Sequence, residues 1–346
     1  MKAVLLHEFG EINTLHYEEF PIPEPDENEI LIKVHAVALN HLDLFVRQGI
    51  PSLKLDMPHI LGSDISGTVE GGKAAGKAGL QEGQRIIVDP GLSCGVCEFC
   101  CSGEISLCHK YAIIGEHRRG GYAEYVTVPT ENVVPIPESV TLSMVEAAAT
   151  PLTFLTAWRM LMTRARLSLG EDVLIIGIGG GVALAALQIA KLMGSRIFVT
   201  SSSNEKLEKA KELGADYIIN YVENPDFQKD IWRYTNKRGV DVVVDSTGQA
   251  TFERSLRSLR KGGRFVTCGA TTGSLGKLNM SLLFWRQFDI LGSTMGTRNE
   301  LREVLKFVWN GRLKPVVHKT LPLSEVQTAH QILEEGTHFG KIVMVP

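Results

Sequence analysis

The chain has no excess of either charge: 36 Lys and Arg face 39 Asp and Glu. That balance leaves no electrostatic footprint for nucleic acid or for an anionic membrane. Long apolar runs are missing too, and nothing approaches the roughly 20 residues that span a bilayer. The opening Met1-Lys2-Ala3-Val4-Leu5-Leu6 meets His7 and Glu8 too soon to resemble a secretory signal. A cytoplasmic protein with no nucleic-acid and no membrane partner is expected. There is no internal repeat, low-complexity segment or long linker. Cysteine is scarce, with six in 346 residues, and without a secretory signal a disulfide framework is disfavoured.

The little cysteine present is concentrated. Cys94, Cys97, Cys100 and Cys108 lie in the run CGVCEFCCSGEISLC, and only Cys101 and Cys268 fall outside the set. Thiolates three residues apart can hold one metal from a tight turn, and a fourth across a short loop closes a tetrahedron. Four thiolates leave no position open for a substrate. The expectation is one structural zinc per chain. Cys101 reads as a bystander, and Cys268, in an apolar strand pattern, as a small core residue.

The length suggests two domains, each able to bury its own core. In the first third, Glu29-Ile-Leu-Ile-Lys-Val-His-Ala-Val alternates as a half-buried strand should, and residues 83–88 and 121–128 read as further strands. Helical spacing begins near Ser143, a candidate N-cap. The middle changes character. Asp172-Val-Leu-Ile-Ile is a continuous apolar run, followed by a glycine turn and a helical pattern. More strands begin at Arg196, Tyr217, Val240 and Gly263, with helices between. Apolar strands alternating with helices predict an α/β fold with a doubly wound parallel sheet.

The glycine turn, Gly177-Ile-Gly-Gly-Gly-Val-Ala183, lies between a buried strand and a helix. Glycines there let the backbone approach a pyrophosphate, while the helix N-terminus offers amides and a positive dipole. The strict G-x-G-x-x-G pattern fails at Val182. The workable spacing is Gly177, Gly180 and Ala183, with Gly181 and Val182 opening the helix. About 20 residues further on, an NAD site places an acid on the ribose. Here that place reads Thr200-Ser201-Ser202-Ser203. Ser201, with Lys206 and Tyr221 nearby, suits a 2′-phosphate, so NADP(H) is favoured over NAD(H).

These features, with the C-terminal Gly340-Lys-Ile-Val-Met, resemble the medium-chain dehydrogenase/reductase superfamily over essentially the whole chain. Zinc-containing alcohol dehydrogenase-like proteins are closest in pattern, with quinone oxidoreductases as near relatives. The resemblance implies a GroES-like, mostly β catalytic domain over residues 1–152 and 296–346, and a Rossmann domain over 153–295. It implies an active site in the cleft between them. It further implies Thr156 near the nicotinamide, Ser246 and Thr247 after the fourth strand, Gly269 and Ala270 beside the nicotinamide ribose, and His41 and Lys341 on the pyrophosphate. Relatives pair their sheets edge to edge, so the apolar segments starting at Met280 and Ile290 imply a homodimer or homotetramer.

The departures from that family pattern shape the functional reading. Zinc alcohol dehydrogenases hold a catalytic zinc through cysteine, histidine and cysteine; the corresponding positions here are Asn40, Ser63 and a place near Leu152. None is a good zinc ligand. The proton-relay hydroxyl and histidine align with Leu42 and Phe45. What stands instead resembles the zinc-free quinone oxidoreductase pattern N-x-x-D-x-x-x-R-x-G, as Asn40, Asp43, Arg47 and Gly49. The implied activity is NADPH-dependent reduction of a small carbonyl or quinone substrate. Asn40 would hydrogen-bond the developing oxyanion, Arg47 would add charge if turned inward, and Asp43 would orient its neighbours. Two alternatives stay open: an alcohol dehydrogenase with a metal site rebuilt around Asp64, His41 or His59, and a dinucleotide-binding protein with little turnover.

Overall fold

Alternation along Glu29–Ala38 buries Ile30, Ile32 and Val34 and leaves Lys33 and His35 outward, so this strand can serve as the axis of a one-sided sheet. In the computed structural model, which describes residues 1–51 and 53–346, it does so. It pairs antiparallel with Asp64–Gly71, Tyr125–Pro129 and Lys341–Val345. Arg85–Val88 and Val133–Pro135 extend the sheet on one side and Val317–Pro322 on the other. The unit built on this sheet comprises Met1–Leu152 and Thr297–Pro346. Its core joins Ile30, Ile32, Ile65, Ile86 and Val126 to Leu321, Val326, Leu333 and Met344. Register brings three polar residues to one end: Ala38 lies opposite Asp64 on one side and Val343, two residues past Lys341, on the other. Asn40 follows as the N-cap of the helix His41–Gln48.

The second unit, Thr153–Gly296, is a six-stranded parallel sheet flanked by helices. Its strands stand in the order Tyr217–Asn220, Arg196–Ser201, Asp172–Ile175, Val240–Asp245, Leu259–Thr267, Asp289–Gly292. The central strand Asp172–Ile175 is buried throughout, as an apolar run covered on both faces should be. Its chain order, third-second-first-fourth-fifth-sixth, reverses beside Asp172–Ile175, and ligands of such sheets bind at the carboxyl ends near that reversal. The core there includes Leu174, Phe198, Ile219, Val243 and Phe265.

Two segments depart from the sequence reading. Residues 121–124 are not ladder strand; only Tyr125–Pro129 is. The amides of Gly121 and Tyr122 bond Gly62 O and Leu61 O, Tyr122 O accepts from Val4 and Glu124 O from Val34, so the segment changes partner too often for one ladder. The helical stretch opened by Ser143 divides into Met144–Ala148 and Pro151–Trp158, because Pro151 has no amide hydrogen to continue the first helix. Among the described residues no helix is long and apolar enough to cross a membrane.

Candidate functional site

Cys94, Cys97, Cys100 and Cys108 bring their sulfurs within 4.8 Å of one another. The loop is closed by the small pair Gly91–Leu92 and Ala112–Ile113. The Cys94 and Lys110 amides each donate to Cys108 Sγ at 3.3 Å. Amides of Val96 and Cys97 also hold the Cys94 thiol below its ordinary value, toward the thiolate that zinc requires. Spacing, closeness and amide donors fit one tetrahedral zinc with no open position. Among the described residues this is the one grouping of three or more His, Cys, Asp or Glu placed to share an ion.

The glycine turn lies at the carboxyl end of the parallel sheet. Gly177, at φ 70°, adopts a left-handed conformation that favours glycine. Its amide donates to Thr200 Oγ1 at 3.2 Å, and the Ile178 amide to Thr200 O at 2.8 Å, fixing the turn to the neighbouring strand. Gly180 caps the helix Gly181–Leu192, whose first amides, on Gly181 and Val182, have no carbonyl one turn back to accept them. A Cβ on Gly180 would meet no protein atom within 4 Å. The protein does not itself require glycine there, whereas an approaching pyrophosphate would.

The other expected cofactor residues of this unit collect around the same end. A Cβ on Gly177 would lie 3.3 Å from Thr247 Oγ1, and one on Gly269 would lie 3.2 Å from Ser246 O. Ala270 follows Gly269 beside the Gly248 backbone. Thr156 is buried with its hydroxyl 3.8 Å from Met295 Sδ. At the end of Arg196–Ser201, the Ser201 hydroxyl accepts from the Ser203 amide, and the Tyr221 amide donates to Ser201 O. The Lys206 amide in turn donates to the Ser203 hydroxyl at the start of the helix Asn204–Glu212. Burial lowers the pKa of the Lys206 ammonium.

In the first unit, Asn40, Asp64 and Lys341 form one buried cluster. Lys341 Nζ donates to Asn40 Oδ1 at 2.6 Å and to Asp64 Oδ2 at 2.9 Å. Asn40 Nδ2 donates to Asp64 Oδ2 at 3.0 Å, and the Leu152 amide to Asp64 Oδ1 at 2.7 Å. Asp43 accepts from the Asn40 amide at 2.7 Å and the Gly62 amide at 3.1 Å; burial pushes its carboxyl up to about 6, against the pull of those donors and of Lys341. Ser63 is fully buried, and its hydroxyl finds no partner among the described residues.

This geometry corrects three expectations. The Asn40 amide hydrogens are turned to Asp64 and, at 3.5 Å, to Ala38 O, so the amide is not a free oxyanion donor. Arg47 does not turn inward toward Asn40; it is wholly buried against Gly10 O, His330 and Glu334. Lys341 is not a solvent-facing lysine awaiting a pyrophosphate: it is buried, and Asn40 and Asp64 take two of its three ammonium hydrogens. His41 remains exposed at the helix start, its ring 6.3 Å from that of His338. His59 is buried on Gly115 O at 3.1 Å, and Asp64 is filled by Lys341, Asn40 and Leu152, which leaves neither arranged as a metal ligand. Sequence reasoning missed Asp64 as the partner of Lys341, and missed Tyr122 and His330. Only their polarity within apolar runs marked them.

A doubly wound parallel sheet with a pyrophosphate-type turn, joined in one chain to a β unit carrying a four-thiolate loop, defines a dinucleotide-dependent dehydrogenase/reductase. The chain belongs to the zinc-containing medium-chain dehydrogenase/reductase superfamily. The family pattern described as alcohol dehydrogenase GroES-like domain matches residues 26–138, and that of zinc-binding dehydrogenase matches residues 181–310. An NAD-dependent alcohol dehydrogenase of Sulfolobus acidocaldarius is 34% identical, over 99% of each chain. An acryloyl-coenzyme A reductase of Metallosphaera sedula is 30% identical, again over 99% of each chain. A crystal structure of an NAD-dependent alcohol dehydrogenase superposes with a TM-score of 0.94, at 45% identity and 100% coverage of both chains.

Proposed function

We propose that this enzyme moves hydride from a reduced nicotinamide dinucleotide to a carbonyl-conjugated acceptor, a quinone or an enone, with no metal at the reacting centre. The observation that carries this reading is what fills the family's catalytic-zinc positions. Asn40, Ser63 and a place near Leu152 correspond to them, and the Lys341–Asp64 pair ties Asn40 to the Leu152 amide. Hydride adds to the electrophilic carbon, and an electron pair moves onto the carbonyl oxygen as enolate or phenolate. Water supplies the proton, and the dinucleotide leaves oxidised. The charge that a metal would give comes from Lys341. Two of its three hydrogens go to Asn40 and Asp64, and the third is left for the oxyanion. Asn40 aims the ammonium, and Asp43 fixes Asn40. The acryloyl-coenzyme A reductases among the relatives act, by name, on a conjugated thioester, which supports an acceptor of this electronic type.

NADP(H) is the proposed dinucleotide. The hydroxyls of Ser201 and Ser203, with Lys206, stand where an NAD site would present a carboxylate. The relatives named NAD-dependent set the opposite expectation. Their names also favour a second reading, alcohol oxidation at a rearranged metal site, against which the filled Asp64 carboxylate counts. The test is an acceptor panel of quinones, enones and acryloyl thioesters with NADPH and with NADH, run beside alcohol oxidation with and without chelator. Chelator-resistant reduction, with kcat/KM higher for NADPH, is expected. Chelator-sensitive oxidation of simple alcohols alone would overturn the proposal.

A further inference from the structure

Behind the helix that Asn40 caps, a line of buried polar groups crosses the first unit. Arg47 lies 3.3 Å from His330 Nδ1, donates to Gly10 O at 3.2 Å and pairs with Glu334. His330 Nε2 is 3.3 Å from the Tyr122 hydroxyl, and the two rings meet edge to face at 5.9 Å. The Tyr122 ring packs against Gly62, whose amide donates to Asp43; burial first, then the charge of Asp43 and its hydrogen bonding, keep the phenol protonated. Arg47, Tyr122 and His330 are all fully buried, so no water competes for these atoms.

Counting hydrogens orients the whole line. A guanidinium only donates, so His330 Nδ1 must accept from Arg47, and the ring's hydrogen belongs on Nε2. Nε2–H then donates to the Tyr122 oxygen. That frees the phenol hydrogen for Asp43, which as a carboxylate only accepts. The opposite tautomer would set Nδ1–H against the guanidinium and turn the phenol away from a buried charge, an expensive arrangement at both ends.

We propose that Arg47, His330 and Tyr122 form a one-directional hydrogen-bond chain ending on Asp43, with His330 held as the neutral Nε2–H tautomer, and that Tyr122 and His330 are positioning residues for Asn40. Asp43 holds the Asn40 amide, and Asn40 holds the Lys341 ammonium, so the chain ties that ammonium to the helix Val326–Glu335. Burial, and then the Arg47 charge, lower the His330 pKa to about 3, in keeping with a neutral ring. The positioning part rests on the role given to Lys341 above; the tautomer does not.

The direct test is nitrogen-15 NMR on protein labelled at its histidines, at neutral to mildly alkaline pH, with His330→Gln assigning the signals. A pyrrole-type Nε2 and a pyridine-type Nδ1 on His330, unchanged across that pH range, are expected. A protonated Nδ1, or an imidazolium, overturns the chain. Tyr122→Phe then tests positioning: kcat for the best acceptor falls about five- to tenfold, the loss of one buried hydrogen bond, with the dinucleotide KM unchanged. An unchanged kcat overturns the positioning role. The tautomer is read without turnover, so an enzyme that reduced none of the acceptors would defeat the proposed function and leave the chain standing.

Discussion

Lys341 Nζ lies between Asn40 Oδ1 and Asp64 Oδ2 and is 5% exposed. A buried ion pair of this kind adds little net stability, but removing one partner leaves a bare buried charge and costs about 3–5 kcal/mol. Lys341→Met is therefore expected to lower stability by that amount. If the ammonium faces the oxyanion, the variant also lowers kcat about 100-fold, the usual loss for one preorganised oxyanion donor. Steady-state acceptor reduction on the folded fraction reads this, and an unchanged kcat would remove Lys341 from the chemistry. Residue types at this site were legible in the sequence, whereas side-chain directions were not. Arg47 follows Asp43 by four positions, as the zinc-free pattern requires, yet its guanidinium is claimed by His330 and Glu334, 283 and 287 residues away. Lys341 and Asp64 meet through strand register, which local sequence does not encode.

Elements were legible where one local cause sufficed. Beyond Asp172 at its start, the strand Asp172–Ile175 has no polar side chain to place, so only a strand covered on both sides fits it. Ser143 opens its helix as expected, accepting from the Glu146 amide. Residues 121–124 were not legible, because their backbone bonds go to three separate segments. The glycine turn yields a prediction at this scale. Gly180 has φ −77° and ψ 158°, open to any residue, and free space beyond its Cβ position. Gly180→Val should leave the thermal midpoint nearly unchanged and raise the dinucleotide Kd at least tenfold by blocking the pyrophosphate's approach. Equal binding by calorimetry would mean the phosphates lie elsewhere. Gly177→Val should instead destabilise the fold, because φ 70° strains a β-branched residue.

At the scale of the whole molecule, the strand–helix alternation, the glycine turn and the cysteine spacing already pointed to the class: a dinucleotide sheet and a β unit with a four-thiolate loop. Assembly follows from surface rather than core. Among the described residues, Asp289–Gly292 ends the parallel sheet with one edge unpaired, and Met280, Phe284 and Trp285 are 63%, 67% and 71% exposed nearby in the chain. Open edges and apolar patches of that kind are covered in stable proteins. We therefore propose a homodimer or homotetramer formed there. Light scattering should report an oligomer for the wild type and a smaller species for Ile290→Lys; a monomeric wild type would contradict it. The central claim is that the chain holds a structural zinc and reacts without a catalytic one, and its most direct test is the zinc content of purified, chelator-washed enzyme by elemental mass spectrometry. One zinc per chain is expected, lost together with folded stability in Cys94→Ser. Two per chain, the second lost in Asp64→Asn with alcohol oxidation, would contradict it.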